Sequence, residues 1–121
     1  MNQPSETMIF KICPVSEWRD AQTRGSFAGS AVDLADGFIH FSAAHQVQET
    51  AAKHFRGQSD LVLLAIPAKL LGDNLKWEAS RGGDLFPHLY GELSTDLAAY
   101  EVPLESNEEG VPIMPAQVFA C

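Results

Sequence analysis

Residues 60–66 read Asp-Leu-Val-Leu-Leu-Ala-Ile, and Pro67 closes the run. The apolar stretch is too short for a buried helix and suits a central strand, which needs cover on both of its faces. Everything else in the chain has to supply that cover. With 121 residues, 45% of them hydrophobic, the chain has the size and composition of one globular domain. No apolar run approaches the ~20 residues of a membrane span. The opening MNQPSETMIF lacks the basic start and apolar core of a signal peptide. Cys13 and Cys121 lie at opposite ends and no CxxC occurs, so there is no disulfide framework. A reducing, cytoplasmic compartment is the simplest expectation.

Around the central strand the periodicity predicts further elements. Residues 8–13 (MIFKIC) alternate as a strand, with Ile9, Lys11 and Cys13 on one face and Met8, Phe10 and Ile12 on the other. Pro14 ends it. Ser16 is the expected N-cap of a short helix carrying Trp18, with Gly25 as its stop. Residues 26–36 read as a loop rich in Gly, Ala, Ser and Asp. Residues 37–41 (GFIHF) read as a strand with Phe38 and His40 on one face. Ser42 is the expected N-cap of an amphipathic helix, since Ala44, Val47, Ala51 and Phe55 recur at spacings of three and four. Residues 74–78, 88–93 and 98–104 read as three more strands. The resulting order, β-α-β-α-β-β-β-β, is an α+β single domain with two helices. Residues 1–7 read as a loose terminus and 8–104 as the body. Residues 105–121 form an acidic, Pro-containing tail whose apolar end packs on the body or on a neighbour.

Eight Lys and Arg face sixteen Asp and Glu, a net charge of −8. Nucleic-acid binders gain most of their affinity by neutralising phosphates, so this balance argues against nucleic acid and leaves a small molecule or a protein as partner. No basic amphipathic segment points to a membrane surface. Neither HExxH nor a Cys/His cluster occurs, so no metal is expected. The phosphate-cradling glycine motifs are missing as well.

Three of the four His fall in two short segments, residues 37–45 and 86–91, both dense in aromatics and Gly. Imidazole is the group best suited to proton transfer near neutral pH. His40 reads either as a cleft residue at a strand end or as a core histidine satisfied by a carbonyl. Ser42 reads as an N-cap or as a ligand-binding hydroxyl. His45 reads as a solvated first-turn residue, and Gln46 beside it as solvated or ligand-binding. Glu78 reads as a solvent-facing strand acid or, if buried beside an apolar ring, as a base. His88 and Tyr90 share a strand face and read as a ring-binding pair or as a structural corner. Cys13 reads as a small core residue.

Taken in order, IFKI at 9–12, GFIHFS at 37–42 with Gln46 following, Glu78, and FPHLYG at 86–91 resemble a small bacterial family, domain-of-unknown-function family 952. That family is grouped, through remote similarity, with the ADP-ribosyltransferase-like superfamily, which includes the NAD-dependent RNA 2′-phosphotransferases. The resemblance implies a split, mostly antiparallel sheet around an NAD-sized cleft, and it brings NAD forward as the cofactor to test. Lys11 holds the first-strand place where such transferases carry His or Arg, which implies a ligand-binding role. His40, Ser42 and Gln46 would line one wall of the cleft; Glu78, His88 and Tyr90 would line the other. His40, Glu78 and His88 would be the catalytic groups, and Lys11, Ser42, Gln46 and Tyr90 the ligand-binding ones. The other reading is a non-catalytic module that binds a metabolite or a protein. The oligomeric state is left open.

Overall fold

The structure is a computed structural model and describes residues 7–80 and 83–119. All but Thr7 of the expected loose terminus, two residues of the Ser80–Asp84 loop, and Cys121 lie outside the described residues. The central strand is β5, Leu61–Pro67, and all seven of its residues are buried. It lies between β1 (Met8–Pro14) and β9 (Tyr100–Pro103), and β4 (Ser42–Ala43) pairs on the far side of β1. All three pairings in this four-stranded sheet are antiparallel.

Both faces of that sheet are covered, which accounts for the unbroken apolar run. On one face Phe10, Ile12, Leu61, Leu63 and Ala65 pack under Val47 and Ala51 of helix α3 (Ala44–His54). Met114 and Val118 from the C-terminal segment complete this layer. On the other face Ile9, Cys13, Val62, Leu64 and Ile66 meet Trp18 and Ala21 of helix α1 (Val15–Arg24). They also meet Ile39 and Leu89 from a second sheet. That sheet is three-stranded and antiparallel, in the order β3 (Ile39–His40), β7 (Leu85–Leu89), β6 (Leu75–Ala79). At ~1.5–3 kcal/mol for each large apolar side chain fully withdrawn from water, these two clusters dominate the stability of the fold. A two-stranded ribbon of β2 (Ser26–Phe27) and β8 (Leu93–Ser94) closes one side.

Several local expectations are corrected. The GFIHF segment is not one strand: β3 pairs with β7, and the chain then crosses through buried Phe41 so that β4 pairs with β1. Because Ser42 and Ala43 are still in a strand, helix α3 starts one residue late and Ser42 is not its N-cap. The Ser42 hydroxyl bonds to Thr50 Oγ1 instead, at 3.0 Å. Helix α1, by contrast, starts earlier than expected, with Pro14 at the cap position and Ser16 inside the first turn. The loop expected over 26–36 contains β2 and a third helix, α2 (Ala31–Asp36), so the described residues hold three α-helices rather than two. The strand expected over 88–93 splits into β7 and β8 because the chain turns at Gly91, whose φ of 147° suits a residue without a Cβ. No helix among the described residues is long and apolar enough to cross a membrane.

Candidate functional site

The three-stranded sheet turns one face to the core and the other outward. Ile39 and Leu89 are cross-strand partners on the inner face, and both are buried. One residue on, His40 and His88 are direct partners on the outer face. Glu78 lies on the same outer face, opposite Phe86. Tyr90 follows His88 by two residues and shares its side. The two histidine-bearing segments, 48 positions apart in sequence, are therefore joined by strand register.

The His40 and His88 rings meet edge to face, with centroids 5.5 Å apart. Phe38 lies over both: it stacks on His88 at 4.2 Å and tilts against His40 at 4.7 Å and Tyr90 at 5.2 Å. Each imidazole is held by a carboxylate. His88 Nδ1 lies 2.8 Å from Glu78 Oε1, and the Tyr90 hydroxyl donates to that same oxygen, also at 2.8 Å. His40 Nδ1 lies 2.6 Å from Asp33 Oδ1, and its Nε2 lies 2.9 Å from Asp36 Oδ2.

Asp33 organises this half of the cluster, and its side chain is fully buried. One oxygen takes the Lys11 ammonium at 2.8 Å and the Ser30 N–H at 2.9 Å. The other takes the His40 ring and the His40 backbone N–H, the latter at 3.1 Å. Burial works to raise the pKa of Asp33. The His40 hydrogen bond, the charge and hydrogen bond of Lys11, and the Ser30 N–H outweigh burial and hold the group well below the usual carboxylate range. Glu78 is also lowered, chiefly by its bonds from His88 and Tyr90. Tyr90 is raised, chiefly because its hydroxyl is tied to Glu78. Beside the cluster is a shallow depression of about 250 Å³ lined in part by Ala28, Asp33, Leu34, Phe38, Gly91 and Glu92.

Of the residues singled out from sequence, His40, Glu78, His88 and Tyr90 come together, and Lys11 reaches them through Asp33. Ser42 and Gln46 do not join them. Gln46 is buried and fully engaged: its Oε1 accepts the Ala43 N–H at 2.8 Å, and its amide donates to Asp84 Oδ2 and the Leu85 carbonyl. It thus ties the start of α3 to β7. His45 is exposed, 3.6 Å from Asp84. Cys13 is in the core. Sequence reasoning missed Asp33 and Asp36, and assigned Phe38 no role. The spacing Ser30-x-x-Asp33 was the available signal, since it is the signature of a capped helix start.

Taken together, these features define a small mixed α/β protein with antiparallel sheets, few helices and a paired imidazole–carboxylate cluster on the outer face of the smaller sheet. The chain belongs to the family described as "Protein of unknown function (DUF952)", whose model matches residues 12–100. It is similar to protein CC0527 from Caulobacter crescentus, a structural genomics target. The crystal structure of that protein is 54% identical, with a TM-score of 0.92, over 94% of this chain and 100% of the other. The solution structure of CC0527 gives 58% identity and a TM-score of 0.79 over 87% and 90% of the two chains. No curated protein shows a significant match.

Proposed function

We propose that the cluster of Phe38, His40, Glu78, His88 and Tyr90 is a cytoplasmic small-molecule site of ADP-ribosyltransferase-like type that takes a nicotinamide nucleotide such as NAD or ADP-ribose. One observation carries this reading: two imidazoles, each fixed by a carboxylate, meet under a shared aromatic ring. That arrangement suits a planar ring and a ribose together. Tyr90 and Phe38 offer aromatic faces, and Tyr90 is 40% exposed. His40 orients a ribose or phosphate by hydrogen bonding. His88 is buried under Phe38 with Nδ1 spent on Glu78, which leaves Nε2 as its nitrogen for proton transfer. Glu78 faces positive charge that develops at a ribosyl carbon.

One feature favours a second reading, a non-catalytic binding module. The Lys11 ammonium is already neutralised by Asp33 at 2.8 Å, so it is poorly placed to serve a diphosphate. Calorimetric titration with NAD and ADP-ribose tests binding, and turnover of NAD by the same sample separates the two readings. Binding that His88→Ala abolishes, with turnover, supports the transferase. Binding without turnover supports the module. No heat with either ligand at millimolar concentration rejects the nucleotide.

A further inference from the structure

Strand β6 forms one end of the three-stranded sheet, and among the described residues no strand pairs with its outer side. Its sequence, Leu75-Lys76-Trp77-Glu78-Ala79, has a single bulky centre flanked by opposite charges.

The hydrogen-bonding phase of that edge follows from Pro87. Trp77 is the cross-strand partner of Pro87, which has no N–H and whose carbonyl accepts from Phe41 on the opposite side. Trp77 and Pro87 are therefore a non-bonded pair. The flanking bonds agree: Tyr90 N–H donates to the Asn74 carbonyl and Ser80 N–H to the Asp84 carbonyl, three residues either side of Trp77. Alternation then points the N–H and C=O groups of Leu75, Trp77 and Ala79 away from β7. Of these, only the Leu75 N–H has a partner among the described residues, the Gly72 carbonyl.

We propose that β6 pairs antiparallel with β6 of a second copy of this chain, about a two-fold axis at Trp77. In this register Trp77 opposes its own copy and exchanges two hydrogen bonds with it. The Ala79 N–H of each chain donates to Leu75 C=O of the other, giving four bonds in all. Lys76 falls opposite the partner subunit's Glu78, and Glu78 opposite the partner subunit's Lys76, so both cross-strand pairs carry opposite charges. Shifting the axis to Lys76 would oppose like charges and place the outward groups out of phase. The edge is thus complementary to itself in bonding and in charge at one register, as an isologous contact requires. Trp77 is 40% exposed and Leu85, beside it on the same face, is 51% exposed. Both would gain cover. A long, exposed edge strand otherwise invites unspecific pairing.

The contact also reaches the candidate site. Glu78 holds His88 and Tyr90, and the partner subunit's Lys76 brings it a cation from the second copy. The pairing itself does not depend on what the site binds.

The test uses the full chain in a Cys121→Ser background, with Trp77→Cys and Ala79→Cys oxidised separately. The register puts the two Trp77 Cα atoms ~5.5 Å apart, within the ~4.4–6.8 Å that a disulfide spans. It puts the two Ala79 positions four residues out of step, ~14 Å apart. Trp77→Cys should cross-link at high protein concentration and Ala79→Cys should not. In parallel, sedimentation equilibrium of the wild type should give a concentration-dependent dimer. Lys76→Glu should weaken it about fivefold, since two exposed opposite-charge pairs become like-charge pairs. A wild type that stays monomeric at millimolar concentration overturns the proposal. So does cross-linking of Ala79→Cys as fast as Trp77→Cys, or a dimer indifferent to Lys76→Glu.

Discussion

Asp33→Ala and Lys11→Met probe the same buried bond and should behave very differently. The two side chains are 0% and 7% exposed and meet at 2.8 Å. Removing Asp33 strands the Lys11 ammonium in a layer otherwise made of Ile9, Cys13 and Leu64. It also orphans the donors at Ser30 and His40. Breaking a buried pair from one side costs ~3–5 kcal/mol, and the extra orphaned donors put Asp33→Ala at the upper end. At ~4 °C per kcal/mol for a domain of this size, the melting temperature should fall by ~20 °C. Lys11→Met removes the buried cation and leaves Asp33 with three donors, so it should cost less. The double variant should then be more stable than Asp33→Ala alone, because its second substitution removes the stranded charge. Urea unfolding followed by the fluorescence of buried Trp18 measures all three. The sign with pH follows from the depressed pKa of Asp33. Its stabilisation is fully present above the unfolded carboxylate value of ~3.9, and it is lost as pH falls through the lower folded value. A double variant less stable than Asp33→Ala, or a wild-type-like Asp33→Ala, would show that the buried pair does not hold this part of the core together.

Four further outcomes are expected. Gly29→Ala should destabilise by ~1–3 kcal/mol, because Gly29 sits at φ 116° and an added Cβ would lie 2.6 Å from the Asp33 Cβ; thermal melts check it. Glu78→Gln, in a Tyr100→Phe background, should lower the pH at which Tyr90 ionises, since its bond to the carboxylate is what holds the phenol up; the phenolate absorbance reads this directly, and an unmoved titration would count against the bond. Cys13, pushed up to about 12 chiefly by burial, should resist thiol reagents at pH 8 in native Cys121→Ser protein and react once urea unfolds it. Met114→Ala should cost ~2–5 kcal/mol, because Met114 is buried against the α3 side of the large sheet; a neutral melt would show the tail to be dispensable.

What could be read from sequence here was what short-range periodicity encodes. Residues 60–66, residues 8–13 and the spacing of Ala44, Val47 and Ala51 each report their own burial, and each appears as a strand or helix packed as that pattern requires. Boundaries were less legible where two elements abut. Ser42 fits an N-cap and a strand end equally well, and only its pairing with Phe10 decides. Gln46 shows how a polar first-turn residue misleads. Its partners, Asp84 and the Leu85 carbonyl, lie 38 and 39 residues away, so its role as a tie between layers has no local trace.

The site was legible in proportion to how much of it strand register alone creates. His40 and His88 meet because β3 and β7 pair at those positions, and Tyr90 and Glu78 follow by alternation. Asp33 belongs to a different class. It sits in a six-residue helix inside a Gly- and Ala-rich stretch, and it matters through Lys11, 22 positions earlier on another sheet. A buried charge is tolerated only when it is paired, so the strand residue Lys11, flanked by Phe10 and Ile12 on a core strand, already required an anionic partner. Of the sixteen acidic residues, that partner had to be one that its own neighbourhood also buries. Ser30-x-x-Asp33 was such a neighbourhood, because a capping carboxylate at a short helix start is held by backbone N–H groups on its protected side. The lone lysine on the first strand was therefore less a pointer to a ligand than to an unseen carboxylate. Through that carboxylate the electrostatics of the core reach the imidazole of His40.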